Sequence, residues 1–105
     1  MIAMKRVWVA DDEKSIRWVL DKALSKEGLD VTCFNSAEDL LETFKTEKPE
    51  VIISDIRMHG MDGLALLAEI KHACPDLPVI IMTAHSDLDS AVSSIQGGAF
   101  EYIPK

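Results

Sequence analysis

Cysteine, positive charge and long hydrophobic runs are all scarce in this chain. Only Cys33 and Cys74 are present, without CxxC spacing or a patterned histidine partner, so neither a disulfide framework nor a zinc module is expected. They read as reduced thiols of a cytoplasmic protein. Eleven basic residues face 18 acidic ones, a net charge of −7, and no Lys/Arg run occurs. Such a chain is poorly suited to gripping phosphate backbones, and direct nucleic-acid binding is not expected. No apolar stretch approaches the roughly 20 residues of a membrane span, and Met1 to Arg6 is too short for a signal peptide. There is no repeat, linker or low-complexity segment.

What is present suits a single domain. The chain has 105 residues, 48% of them hydrophobic, which is enough for a core and too much for a disordered tail. Short apolar runs alternate with helical patterns. Val7–Ala10, Val31–Phe34, Val51–Ile53, Val79–Met82 and Phe100–Ile103 read as strands. Between them, Ile16, Val19, Leu20, Ala23 and Leu24 recur at helical spacing, as do Leu40, Leu41 and Phe44, then Leu64, Leu66, Leu67 and Ile70, then Leu88, Ala91, Val92 and Ile95. Runs that are apolar at every position indicate strands buried on both faces, hence a parallel sheet covered by helices. The expected fold is a doubly wound α/β domain over residues 1–105, flavodoxin-like, with strand order 2-1-3-4-5. A fifth helix is expected after Lys105 to cover the sheet, and this chain lacks it. The expectation is that parts of Val7, Val9, the apolar stripe of helix one and strand five lose cover, and that the chain packs that face against a second copy as a homodimer.

In open α/β sheets, ligands sit beyond the carboxyl ends of the strands. Here those ends carry Asp11 and Asp12 after strand one, Asp55 after strand three, Thr83 after strand four and Lys105 after strand five. With strands one and three adjacent, three carboxylates share one rim and need a cation. All-oxygen ligands suit a hard ion such as Mg²⁺. Taken singly, each residue has a structural alternative. Asp11, Asp12 and Ser15 also fit as helix caps, Asp55 as a turn residue, Thr83 as an N-cap and Lys105 as a terminal charge. Complementary groups at four of five strand ends favour a site. His72 and His85 lack partners at metal-ligand spacing and read as solvated, Trp8 and Trp18 as packing residues, and Met58 with Met61 as loop anchors.

V-W-V-A-D-D-E, I-I-S-D-I-R-M, G-M-D-G, V-I-I-M-T-A and Y-I-P-K, in that order, resemble the receiver domain of two-component response regulators over the whole chain. S-I-R-W-V-L, S-D-I-R-M-x-G-M-D-G-L-A-L-L and L-P-V-I-I-M-T-A-H-S-D-L-D resemble most closely the receivers of its nitrogen-regulatory members. The resemblance implies that Asp55 accepts a phosphoryl group from a sensor histidine kinase. It implies Mg²⁺ held by Asp12, Asp55 and the main-chain carbonyl of Arg57, with Asp11 acting through water. Lys105 and the Thr83 hydroxyl would meet further phosphoryl oxygens, and Tyr102 would follow Thr83 as the aromatic switch residue; the alternative for Tyr102 is an ordinary strand residue. Such a domain is a phosphorylation-dependent switch rather than an enzyme. In a full-length parent it implies an ATPase domain acting with the alternative sigma factor sigma-N, and a DNA-binding domain. His59 stands where the family usually has proline, and a looser loop after Asp55 is expected from the lost restraint on φ.

Other classes fit the residues less well. A dehalogenase-type phosphatase needs an aspartate two residues after its nucleophile, where this chain has Arg57. A flavodoxin-like electron carrier needs a Ser/Thr/Gly-rich phosphate loop, where this chain has Asp11-Asp12-Glu13. A degenerate receiver serving only as a binding module would not need the full set of Asp11, Asp12, Asp55, Thr83 and Lys105.

Overall fold

Residues 5–83, 96 and 98–104 are described by a computed structural model of the chain. Along the sequence come β1 (Arg6–Ala10), α1 (Lys14–Lys26), β2 (Asp30–Phe34), α2 (Ala37–Phe44), β3 (Val51–Asp55), α3 (Gly63–Ala73), β4 (Val79–Thr83) and β5 (Glu101–Pro104). The helix expected around Leu88 to Ile95 lies outside the described residues, as do His85 and Lys105.

All five strands pair in parallel, as the unbroken apolar runs predict, and they stand in the expected order β2-β1-β3-β4-β5. β5 begins one residue later than expected. Phe100, assigned to that strand from its apolar character, lies before it and is exposed, with its N–H donating to Val79 O at 2.8 Å.

Side chains alternate between two faces of the sheet. One set, Trp8, Ala10, Ile52, Val79 and Ile81, packs with Leu40 and Phe44 of α2 and Leu66, Leu67 and Ile70 of α3. Trp8 is buried there, edge-on to Phe34 and Phe44. The other set, Val7, Val9, Ile53 and Met82, meets Ile16, Leu20 and Leu24 of α1. Two caps start helices cleanly. Ser36 Oγ accepts from Asp39 N–H at 3.1 Å for α2, and Asp62 Oδ1 accepts from Ala65 N–H at 2.8 Å for α3.

Two sequence expectations need correction. Trp18 is not a packing residue: it is 62% exposed on the outside of α1, with Lys22 Nζ 5.9 Å from its ring centroid. Val7 and Val9, expected to lose cover, are buried beneath α1. Exposure on that side falls on Val19 of the α1 stripe and on Ile103 of β5, the two other places where cover was expected to be lost.

Candidate functional site

The site is built where β1 and β3 end side by side. Their register pairs Ala10 with Ser54, so Asp11 and Asp55 leave adjacent strands at the same level. Hydrogen bonds continue past both ends: Asp11 N–H donates to Phe34 O at 3.1 Å, and Ile56 N–H donates to Met82 O at 3.0 Å. The backbone at each carboxylate is therefore tied to a neighbouring strand. Asp11 and Asp55 are buried, and Asp12 is half-buried. One carboxylate oxygen from each of the three lies within 4.8 Å of the others.

Each such pair of charges repels by about 3 kcal/mol or more at an effective dielectric near 20. Three hard oxygen donors gathered on rigid strand ends fit a divalent cation of the Mg²⁺ type, whose other positions take water or phosphoryl oxygen. Asp11 also serves the helix that follows. Its Oδ1 accepts from Glu13 N–H at 2.9 Å, while Arg17 Nη1 donates to its main-chain oxygen at 2.8 Å. Glu13, not Asp11, Asp12 or Ser15, occupies the N-cap position of α1, and it makes no side-chain cap. The helix-cap alternative therefore survives only as a second use of Asp11.

The loop after β3 closes over this rim. Arg57 N–H reaches Asp55 Oδ1 at 3.5 Å, and Met58 and Met61 pack into the core as loop anchors, as expected. His59 ties the loop to Asp12. Its backbone N–H donates to Asp12 Oδ2 at 3.1 Å, and its ring Nδ1 lies 2.8 Å from the same oxygen. A proline there would lack the first of these donors. Burial pushes the Asp12 pKa up, but the hydrogen bonds and charge of His59 outweigh it and hold the carboxyl below its ordinary value. On the far side of the loop, Met61 N–H donates to Glu38 Oε2 at 3.0 Å, which lowers the Glu38 pKa.

Thr83 is buried at the end of β4, one residue beyond the partner of Asp55. Tyr102 pairs with Ile81, two residues before Thr83, and so shares its face of the sheet; it is half-buried against the α2/α3 core. His72 is exposed, as expected. Cys33 and Cys74 are both free; burial, aided by Asp21 and opposed by Arg17, pushes the Cys33 thiol up.

Two residues at the site were not singled out from sequence. Ser54 is buried, and its Oγ donates to Asp55 O at 2.9 Å. At Gly63 a Cβ would overlap the Asp55 carbonyl oxygen and stand 2.8 Å from Ile56 Cα. Its own N–H donates to Ile56 O at 2.9 Å, so α3 starts in backbone contact with the end of β3. The sequence signal was the second glycine of G-M-D-G, eight residues after Asp55.

Residues 7–105 match the family described as the response regulator receiver domain. The chain is 60% identical over 98 residues to the DNA-binding transcriptional regulator NtrC of Klebsiella pneumoniae, covering 93% of this chain and 21% of that protein. It thus spans about one fifth of the length of the curated NtrC proteins it matches. Among solved structures, the BeF3-activated receiver domain of nitrogen regulatory protein C superposes with a TM-score of 0.84 at 57% identity, over 99% of this chain and 84% of that one. A receiver domain protein from Clostridium thermocellum superposes with a TM-score of 0.92 at 35% identity, over 97% and 82%.

Proposed function

The chain belongs to the response regulator receiver domain family, and from that premise we propose that residues 1–105 form one phosphoacceptor domain in which Asp55 is the acceptor. The supporting observation is the convergence of Asp11, Asp12 and Asp55 on one rim. A receiver is a phosphorylation switch in a two-component system rather than a classical enzyme. The proposed donor is a phosphohistidine on a sensor histidine kinase.

An Asp55 carboxylate oxygen attacks phosphorus; the new P–O bond forms as the P–N bond breaks, and the electron pair leaves on the imidazole nitrogen. Such transfers depend chiefly on positioning and on offsetting charge at the equatorial oxygens. Positioning comes from the strand end, where Asp55 is buried between Ser54 and the backbone contact with Gly63. Asp12, Asp55 and the main-chain carbonyl of Arg57 would hold Mg²⁺, with Asp11 acting through water, and the ion would supply positive charge to the phosphoryl group. Lys105 is proposed to pair with a second phosphoryl oxygen, and the Thr83 hydroxyl to donate to a third. Thr83 moving toward Asp55 would vacate space on the face it shares with Tyr102, which lets that ring follow.

At the level of the parent protein, the reading is a nitrogen-regulatory, NtrC-like output in the cytoplasm. It would run through an ATPase domain working with sigma-N and a DNA-binding domain. No helix among the described residues is long and apolar enough to cross a membrane. Incubation with acetyl phosphate, followed by intact-mass measurement, tests the core of the proposal. One phosphoryl adduct should form with Mg²⁺, little without it, and none in Asp55→Asn. An adduct that persists in Asp55→Asn overturns the assignment.

A further inference from the structure

Asp12 is the least buried of the three clustered carboxylates, with 22% of its side chain exposed, so its orientation has to be imposed by neighbours. One residue, 47 positions away, imposes it twice. His59 brings its backbone N–H to 3.1 Å and its ring Nδ1 to 2.8 Å of a single oxygen, Asp12 Oδ2. A carboxylate only accepts, so Nδ1 carries a proton in this contact. The backbone that presents His59 is itself held, since Met58 is buried and Met61 N–H is bonded to Glu38.

We infer that His59 is a positioning residue for cation binding, engaging Asp12 Oδ2 so that Oδ1 is the oxygen left for the metal. The inference rests on the cation reading of the acidic rim. Its imidazole is fully exposed and does not belong to the cluster whose donor atoms lie within 4.8 Å of one another. It therefore acts through Asp12 and not as a ligand. Such outer contacts to metal ligands typically change affinity by about 10- to 100-fold; for an exposed ring the lower end applies.

The 105-residue chain tests this directly, by Mg²⁺ and Mn²⁺ titrations followed through Trp8 fluorescence and backbone amide NMR. His59→Ala should weaken both ions alike, by about tenfold. His59→Asn should restore affinity, because Asn Nδ2 hangs from Cγ just as Nδ1 does. His59→Gln, whose amide nitrogen sits one bond further out, should not. Unchanged Mg²⁺ affinity in His59→Ala overturns the inference. So does selective loss of Mn²⁺, which would make the ring a ligand, or equal rescue by Asn and Gln. Asp12→Asn separates the two layers. If it loses Mg²⁺ while His59→Ala binds normally, the positioning role falls and the cation reading stands. If the unmodified chain shows no saturable Mg²⁺ response, both fall.

Discussion

On the face of the sheet that meets α2 and α3, Leu40, Leu66 and Ile70 expose no surface at all; on the face that meets α1, that helix buries no residue fully. The strands are the same on both sides, since each run alternates large apolar residues up and down. The difference lies in how the helices are arranged. α2 and α3 pack against one another as well as against the strands, so each closes the other's flank. Among the described residues α1 lies alone on its face, and its flanks stay open. A groove of about 300 Å³ runs beside it, with Leu20, Leu24, Ile53, Met82 and Ile103 in its walls. Equal strand hydrophobicity thus yields unequal burial, because a helix is only as buried as its neighbours make it.

The largest test of this contrast is Ile70→Ala. Ile70 is fully buried on α3, and truncating such a side chain costs about 2–5 kcal/mol in transfer and cavity terms. Urea unfolding should show that loss as a lower midpoint at unchanged slope. Leu20→Ala removes a half-buried leucine beside the groove and should cost less, about 1 kcal/mol, a fraction of the ~1.5–3 kcal/mol for full burial. Native-state hydrogen exchange sharpens the same point: α1 amides should open at lower free energy than those of α3. A loss at Leu20 equal to that at Ile70 would erase the contrast. Smallest of all is Val19→Ser, which changes an exposed side chain and should leave stability within about 0.5 kcal/mol. A larger drop in thermal melts would mean that α1 is covered in solution.

The tight face was easier to read from sequence than the open one. Leu66, Leu67 and Ile70 fall at helical spacing and are all buried, and the unbroken runs of β1, β3 and β4 predict the parallel pairing that is observed. On α1 the same periodicity misleads. It counts Val19 with Leu20, and Trp18 reads as core by residue type, because a single sequence records apolar character but not whether a neighbour closes over it. The acidic rim was legible for a related reason: Asp11, Asp12, Asp55 and Thr83 stand at strand ends, and strand order brings those ends together. Contacts made across loops were not. The pairing of His59 with Asp12 and that of Glu38 with Met61 depend on how the β3–α3 loop folds back, and no local pattern encodes it.

The backbone contact at Gly63 has a mechanical consequence. Where no Cβ intervenes, the first turn of α3 rests directly on the carbonyl of Asp55, with no side-chain cushion to absorb a shift. α3 has 11 residues, about 16 Å at 1.5 Å per residue. A tilt of about 5° at its Gly63 end would carry its far end, at Ala73, through roughly 1.4 Å. In those terms α3 is a stiff pointer resting on the carbonyl of Asp55, and a small rotation there would become a larger displacement at its tip.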